Sequence, residues 1–249
     1  MSKIPFLFKE ATESDPQNLI IVSKPKVGKT SLLVNLPNCL LLDTENGSSY
    51  VSGYKEKVTS VADLKAIGEK IKEAGCPFQF IAVDTLTALE PICVDYAEDI
   101  YKGTVLGKNW DIEGKKVYGS ITNLPKGSGY YYVRQAMNKV LAYIKTLAPY
   151  TIFSSHVKET NLLRDGIEIT SLDLNLTGTL KHIVTTQSDG IGYVYRHEGK
   201  NYISFNTSEE VVCGQRSKHL KDKTILLSEE DSNGNYITYW DDIYLHLRK

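Results

Sequence analysis

The segment Ser23-Lys24-Pro25-Lys26-Val27-Gly28-Lys29-Thr30 constrains the fold of this chain more than any other stretch. It fits the phosphate-binding pattern G-x-x-x-x-G-K-[ST] at every fixed position except the first, where Ser23 stands in place of glycine. Such a loop works by wrapping backbone N–H groups around an anion between a strand and a helix. Both flanks are suitable. Asn18 to Ser23 is a short continuous apolar run, the mark of a strand buried on both faces. Lys29 to Leu36 reads as a helix stopped by Pro37. In this arrangement Gly28 lets the backbone approach a phosphate and Lys29 reaches the β- and γ-phosphates. The Thr30 hydroxyl meets Mg²⁺, and Ser31 completes the binding stretch. ATP and Mg²⁺ are the expected ligands.

The rest of the chain continues the alternation. Cys39 to Leu42 and Phe78 to Val83 read as buried strands, and Tyr150 to Phe153 as a fourth. Helices are predicted from Val61 to about Ala74, with Ser60 as N-cap and Gly75 as stop, from about Leu86 to Tyr101, and from Tyr130 to Leu147. This βαβ series predicts an α/β fold, a mostly parallel sheet with helices on both faces. After Thr177 the texture changes to β. Gly190 to Arg196 and Asn201 to Phe205 flank a predicted hairpin turn, so 186–249 reads as a β-rich C-terminal part. Tyr239 to Leu247 reads as a short terminal helix. The glycine-rich stretch 102–129 has no apolar period and reads as a mobile insertion. The chain, 1–249, is expected to form one domain.

In parallel sheets ligands bind at the carboxyl ends of the strands. Ser23, Glu45, Asp84 and His156 all fall there. Asp84 ends an apolar run, as expected of a carboxylate that shares Mg²⁺ with Thr30; the plainer reading is a cap for the helix at Leu86. Glu45, on a strand expected beside that of Ser23, suits a base for the attacking water, or else belongs to a solvated turn. His156 suits contact with a γ-phosphate, or is an ordinary surface histidine.

Composition narrows the class. The 249 residues carry 29 basic and 30 acidic side chains, a formal charge of −1, so bulk charge does not announce a nucleic-acid binder. No apolar run reaches the ~20 residues that span a bilayer. The N-terminal patch Ile4 to Phe8 lacks a secretory pattern, so a cytoplasmic protein without a membrane partner is expected. The cysteines Cys39, Cys76, Cys93 and Cys213 read as buried free thiols. The Asn-Lys-x-Asp element of GTPases and G-x-G-x-x-G are both absent.

Taken together, these residues resemble the RecA-like ATPases. Leu41 to Glu45 looks like the strand that ends in their catalytic glutamate, and His156 falls where they place a γ-phosphate sensor, often glutamine. Pro25 to Thr30, Asp43 to Gly47 and Gln215-Arg216-Ser217-Lys218-His219-Leu220 look closest to phage-type nucleotide-binding proteins, some of them single-strand annealing recombinases. The resemblance spans roughly 17–220. It implies an ATPase centre of Lys29, Thr30, Glu45 and Asp84, and Arg216 or Lys218 as a finger to a neighbouring subunit of a homo-oligomer. It further implies Mg²⁺-dependent, DNA-stimulated hydrolysis and action on single-stranded DNA in phage recombination or replication, within an infected host's cytoplasm. One DNA-facing loop would be Lys158 to Thr170. The other would be 102–129, with Lys102, Lys108, Lys115, Lys116, Lys126, Trp110 and Tyr118; a solvated lysine-rich loop is the alternative. With only Met1 to Gln17 before the first strand, a RecA-type polymerisation domain is not expected. Two rivals stand beside this reading: an ATPase with a protein partner, and a nucleotide-binding module that hydrolyses little.

Overall fold

The computed structural model describes residues 15–112, 115–116, 118–164, 167–208 and 210–248. The patch Ile4 to Phe8 and residues Glu113 and Gly114 lie outside them, as do the side chains of Lys115, Lys116 and Arg164. In chain order the elements begin β1 (Asn18–Ser23), α1 (Lys29–Val34), β2 (Cys39–Asp43), β3 (Tyr54–Lys57), α2 (Val61–Glu73), β4 (Phe80–Asp84) and α3 (Leu86–Lys102). Next come β5 (Asp111–Ile112), β6 (Lys115–Lys116), α4 (Gly129–Ile144), β7 (Tyr150–Arg164), β8 (Ile167–Leu174) and α5 (Leu180–Thr186). The C-terminal part adds β9 (Gly190–His197), β10 (Lys200–Ser204), β11 (Gly214–Gln215), β12 (Thr224–Glu230) and β13 (Tyr236–Thr238).

The main sheet runs β13-β12-β10-β9-β1-β7-β4-β2-β3, and its centre from β9 to β3 is parallel. The apolar runs of β1, β2 and β4 are continuous because each strand feeds two cores. Ile20, Val22, Leu42 and Val83 pack under α2, α3, α4 and α5. Leu19, Ile21, Leu41 and Ala82 pack on the other face with Leu32 and Leu33 of α1 and with Trp240, Ile243 and Tyr244. Full burial of each large apolar side chain is worth about 1.5–3 kcal/mol, which fixes the sheet between its layers. This is the α/β sheet, covered on both faces by helices, that the alternation predicts.

Local signals hold where they are chemical. Ser60 caps α2 in a reciprocal capping box with Asp63. Gly75, at φ 76°, closes the helix, its N–H donating to Lys72 O and that of Cys76 to Ile71 O. The β9–β10 hairpin turns at Glu198 and Gly199, both at positive φ. Its first strand is no appendage, since β9 pairs in parallel with β1.

Four expectations are corrected. The fourth strand runs on past His156, and its continuation pairs with β8 from Val157↔Leu174 to Arg164↔Ile167, so the loop expected at Lys158 to Thr170 is a β-ribbon. β-Branched residues on both arms, Val157 and Thr160 on one and Ile167, Ile169 and Thr170 on the other, favour the pairing. The stretch 102–129 contains short 3₁₀ turns at Leu106–Asn109, Ile121–Asn123 and Pro125–Gly127. Trp110, Ile121 and Leu124 enter the core. Two of its glycines serve close packing. A Cβ on Gly107 would stand 1.9 Å from Tyr101 O, and one on Gly129 would stand 1.7 Å from Ile121 O. The C-terminal segment forms two 3₁₀ turns, Trp240–Asp242 and Leu245–Leu247, rather than a helix. Trp240, Ile243 and Tyr244 must all reach the sheet, and Trp240 Nε1 donates to Leu32 O at the end of α1. Finally, Cys76 is exposed and Cys213 half-buried, whereas Cys39 and Cys93 are buried. Burial pushes the Cys39 and Cys93 thiols up to about 12.

Candidate active site

Ser23, Lys29, Thr30, Glu45, Asp84 and His156 meet at the carboxyl edge of the sheet. Gly28 adopts φ 98°, a left-handed conformation that only glycine takes without strain, and it launches α1. Thr30 then points its hydroxyl at Asp84, Oγ1 to Oδ2 2.5 Å. The other Asp84 oxygen accepts from Ser154 Oγ on β7 at 2.7 Å. The carboxylate is therefore fixed from both sides.

Glu45 is aimed by its neighbours. Asp43, at the end of β2, accepts backbone N–H groups from Glu45, Gly47 and Ser48 and so folds the turn. Burial raises the Asp43 carboxyl, but hydrogen bonds from the Ser48 hydroxyl and backbone outweigh it and leave it below the ordinary aspartate range. Thr44 and Thr85 exchange hydrogen bonds, tying the turn to the end of β4. Thr85 Oγ1 donates to Glu45 Oε1 at 2.6 Å, and His156 Nε2 meets the same oxygen at 2.8 Å. On its other side His156 Nδ1 lies 3.3 Å from Lys29 Nζ. An unbroken chain thus runs from Lys29 through His156 to Glu45. The backbone of His156 is held too, its N–H donating to Thr87 Oγ1 and its carbonyl accepting from Asn175 N–H.

Lys29 is buried and also donates to Ser23 Oγ at 3.0 Å. Burial pulls its ammonium below the ordinary lysine range, with Asp84 and Glu45 pulling the other way. Lys24 forms an ion pair with Glu159 of the ribbon, 2.8 Å. Pro25 and Lys26 shape the turn, Lys26 at φ 62°, and Val27 packs against the core. Ser31 and Gly28 line a cavity of about 420 Å³ whose far wall is the C-terminal sheet, with Arg196, Asn201 and Tyr236.

Other expected features fall elsewhere. β2 is not beside β1, because β7 and β4 stand between them; Glu45 reaches the site through the turn after β2. Arg216 lies near Asp189 at the opposite edge of the sheet, where it donates to Asp189 Oδ1 and Thr186 O. It is not brought to this site. Trp110 is only 2% exposed, against Tyr101, and presents no stacking face. Thr85, Ser154 and Thr87 were not legible as site residues, since lone hydroxyls carry no spacing signal.

A strand, loop and helix with the phosphate-binding pattern, a buried lysine, a hydroxyl–carboxylate pair and a glutamate beside them are the parts of a P-loop ATPase. Residues 15–217 match a family model described as an AAA domain, and the chain belongs to that family. Among solved structures, a KaiC-like protein from the hyperthermophilic archaeon Pyrococcus horikoshii OT3 is similar at 11% identity over 90% of this chain and 89% of that one, with a TM-score of 0.41. No curated protein sequence matches. Among the described residues no helix is long and apolar enough to cross a membrane, and no group of three or more His, Cys, Asp or Glu side chains is placed to hold a metal.

Proposed function

We propose that the chain hydrolyses ATP with Mg²⁺ at this site and passes the state of the γ-phosphate to the β7–β8 ribbon. The observation that carries the reading is the Lys29–His156–Glu45 chain at the root of that ribbon. Thr30 Oγ1 and Asp84 Oδ2 converge as two oxygen donors, a set suited to a small hard cation that keeps phosphate and water as its remaining ligands. They would hold Mg²⁺, which when bound neutralises charge on the phosphates. The nucleoside would occupy the cavity beyond Gly28 and Ser31. The reacting end then faces Glu45, which accepts the proton as water attacks the γ-phosphorus and the bond to the β–γ bridging oxygen breaks. Phosphate entering beside Lys29 would compete with His156 Nδ1 for its ammonium, and the backbone of His156 belongs to the strand that continues into the ribbon.

For the partner, single-stranded DNA remains our first reading. Lys158 on the ribbon and Tyr130 on α4 border one cavity of about 800 Å³, a cation and a ring of the kind that tracks and stacks single strands. A protein partner is the second reading, because Glu90 and Asp95 line the same cavity beside Pro91, Val94 and Leu176 and would repel a polyanion. The deciding experiment is ATP turnover with and without single-stranded DNA, in native chain and Lys29→Ala. Turnover that requires Lys29 and rises with DNA supports the first reading. Turnover that requires Lys29 but ignores DNA, with no DNA binding in ATP and Mg²⁺, moves the partner to protein. Native-like hydrolysis by Lys29→Ala removes the site assignment.

A further inference from the structure

We propose that Ser23 is a positioning residue for Lys29, its hydroxyl anchoring the ammonium before nucleotide binds and keeping hold of it when phosphate arrives. The inference rests on the ATP-binding reading of the P-loop and concerns the one position where the motif departs from its pattern. Ser23 is fully buried and Lys29 nearly so, which leaves little room for water to serve the ammonium. An ammonium has three N–H donors. Three acceptors face it: Ser23 Oγ at 3.0 Å, His156 Nδ1 at 3.3 Å and Lys24 O at 3.5 Å. Ser23 Oγ spends its own proton on Lys24 O at 2.8 Å, so its lone pairs are the part turned to Lys29.

The three contacts are unequal. Those to His156 and Lys24 O are long and weak, and they are the ones phosphate oxygens can replace. The contact to Ser23 is short, buried and oriented by a second hydrogen bond. Because the side chain of Lys29 starts inside α1 while Ser23 ends β1, the bond ties strand to helix across the loop. It limits where the ammonium can point. Glycine at this position would offer no side-chain acceptor, and the ammonium would keep only its two long partners.

The test uses Ser23→Ala and Ser23→Gly, which remove the acceptor without adding bulk, and Ser23→Thr, which restores it. In the nucleotide-free full chain, the nitrogen-15 resonance of the Lys29 ammonium is expected in the native protein and Ser23→Thr, protected from exchange by its anchor. It is expected to vanish in Ser23→Ala. The dissociation constant for ATP should rise about tenfold or more in Ser23→Ala and Ser23→Gly, the scale of one hydrogen bond to a charged group. It should recover in Ser23→Thr, while kcat at saturating ATP changes less than KM. An unchanged ammonium resonance in Ser23→Ala overturns the anchor. Unchanged or tighter ATP binding by a folded Ser23→Ala overturns the positioning role. If the native chain shows the protected resonance but binds no ATP, the anchor stands and the ATP reading fails.

Discussion

Glu45 shows how much a single residue's role depends on what holds it. Its Oε1 takes contacts from both Thr85 and His156. Glu45→Gln keeps the shape and loses the base. ATP should still bind, and turnover should fall about 100-fold or more, the scale of general base catalysis. Single-turnover hydrolysis measured beside ATP binding separates the two effects, and unchanged turnover would leave Glu45 as a turn residue. At this scale the sequence was readable wherever charge met position. Ser23, Glu45, Asp84 and His156 are polar groups at or just past the ends of apolar runs, Lys29 belongs to the phosphate-loop pattern, and the structure gathers all five. Ser154 and Thr85 were not readable, because a hydroxyl gains meaning only from the partner across the sheet. Arg216 was legible as a basic residue in a suggestive string, but its place is set by Asp189 and by β11 pairing with β9, which no local pattern announces.

At the scale of elements, the stretch between α3 and α4 is the most instructive. Its glycine content reads as a mobile insertion and the resemblance makes it a DNA-facing loop, with a solvated lysine-rich loop as the alternative, yet Trp110 packs edge-on to Tyr101 with ring centroids 5.5 Å apart. Trp110→Ala should therefore cost stability, about 3–5 kcal/mol for a buried large aromatic, rather than a stacking contact with a base. Urea unfolding reads this directly; a variant as stable as native but weaker on single-stranded DNA would return Trp110 to the surface. The ribbon was missed for a related reason. Asp165-Gly166 in the sequence is a hairpin signal, but the loop expected at Lys158 to Thr170 comes from the resemblance alone and takes no account of it. The ribbon's link to the P-loop, Lys24 to Glu159, is half exposed on both sides. Exposed pairs contribute little to stability. Glu159→Gln should leave the unfolding midpoint nearly unchanged, and any loss in ATP turnover would then report communication between loop and ribbon rather than unfolding.

At the scale of the whole molecule, the described N-terminal end is fastened to the C-terminal segment at the edge of the sheet remote from the P-loop. Asp15 accepts hydrogen bonds from the backbone of Leu245 and His246 and from His246 Nδ1, the last at 2.6 Å. His246 in turn stacks on Tyr150, centroids 4.7 Å apart, beside the buried Phe80 and Tyr244. The clasp closes the core that the terminal 3₁₀ turns complete. Burial raises the Asp15 carboxyl, but the His246 side chain and the two backbone N–H groups prevail and leave it below its ordinary value of 3.8. A depressed carboxyl stabilises the fold fully above its unfolded value. That stability is lost as pH falls from about 3.8 through the lower folded value, because the unfolded chain takes up its proton first. Asp43 has the same sign, so the native protein should weaken steeply on the acid side. Asp15→Asn removes the titration and part of the hydrogen bonding. Near neutral pH it should be less stable by about 1–3 kcal/mol, the scale of hydrogen bonds to a charged group. The gap to native should narrow as pH is lowered through the acid range, because native Asp15 then loses its advantage. Urea unfolding from pH 2 to 7 measures both curves. Parallel curves with a constant gap would show that Asp15 carries no pH-linked stability and that the clasp is held by packing alone.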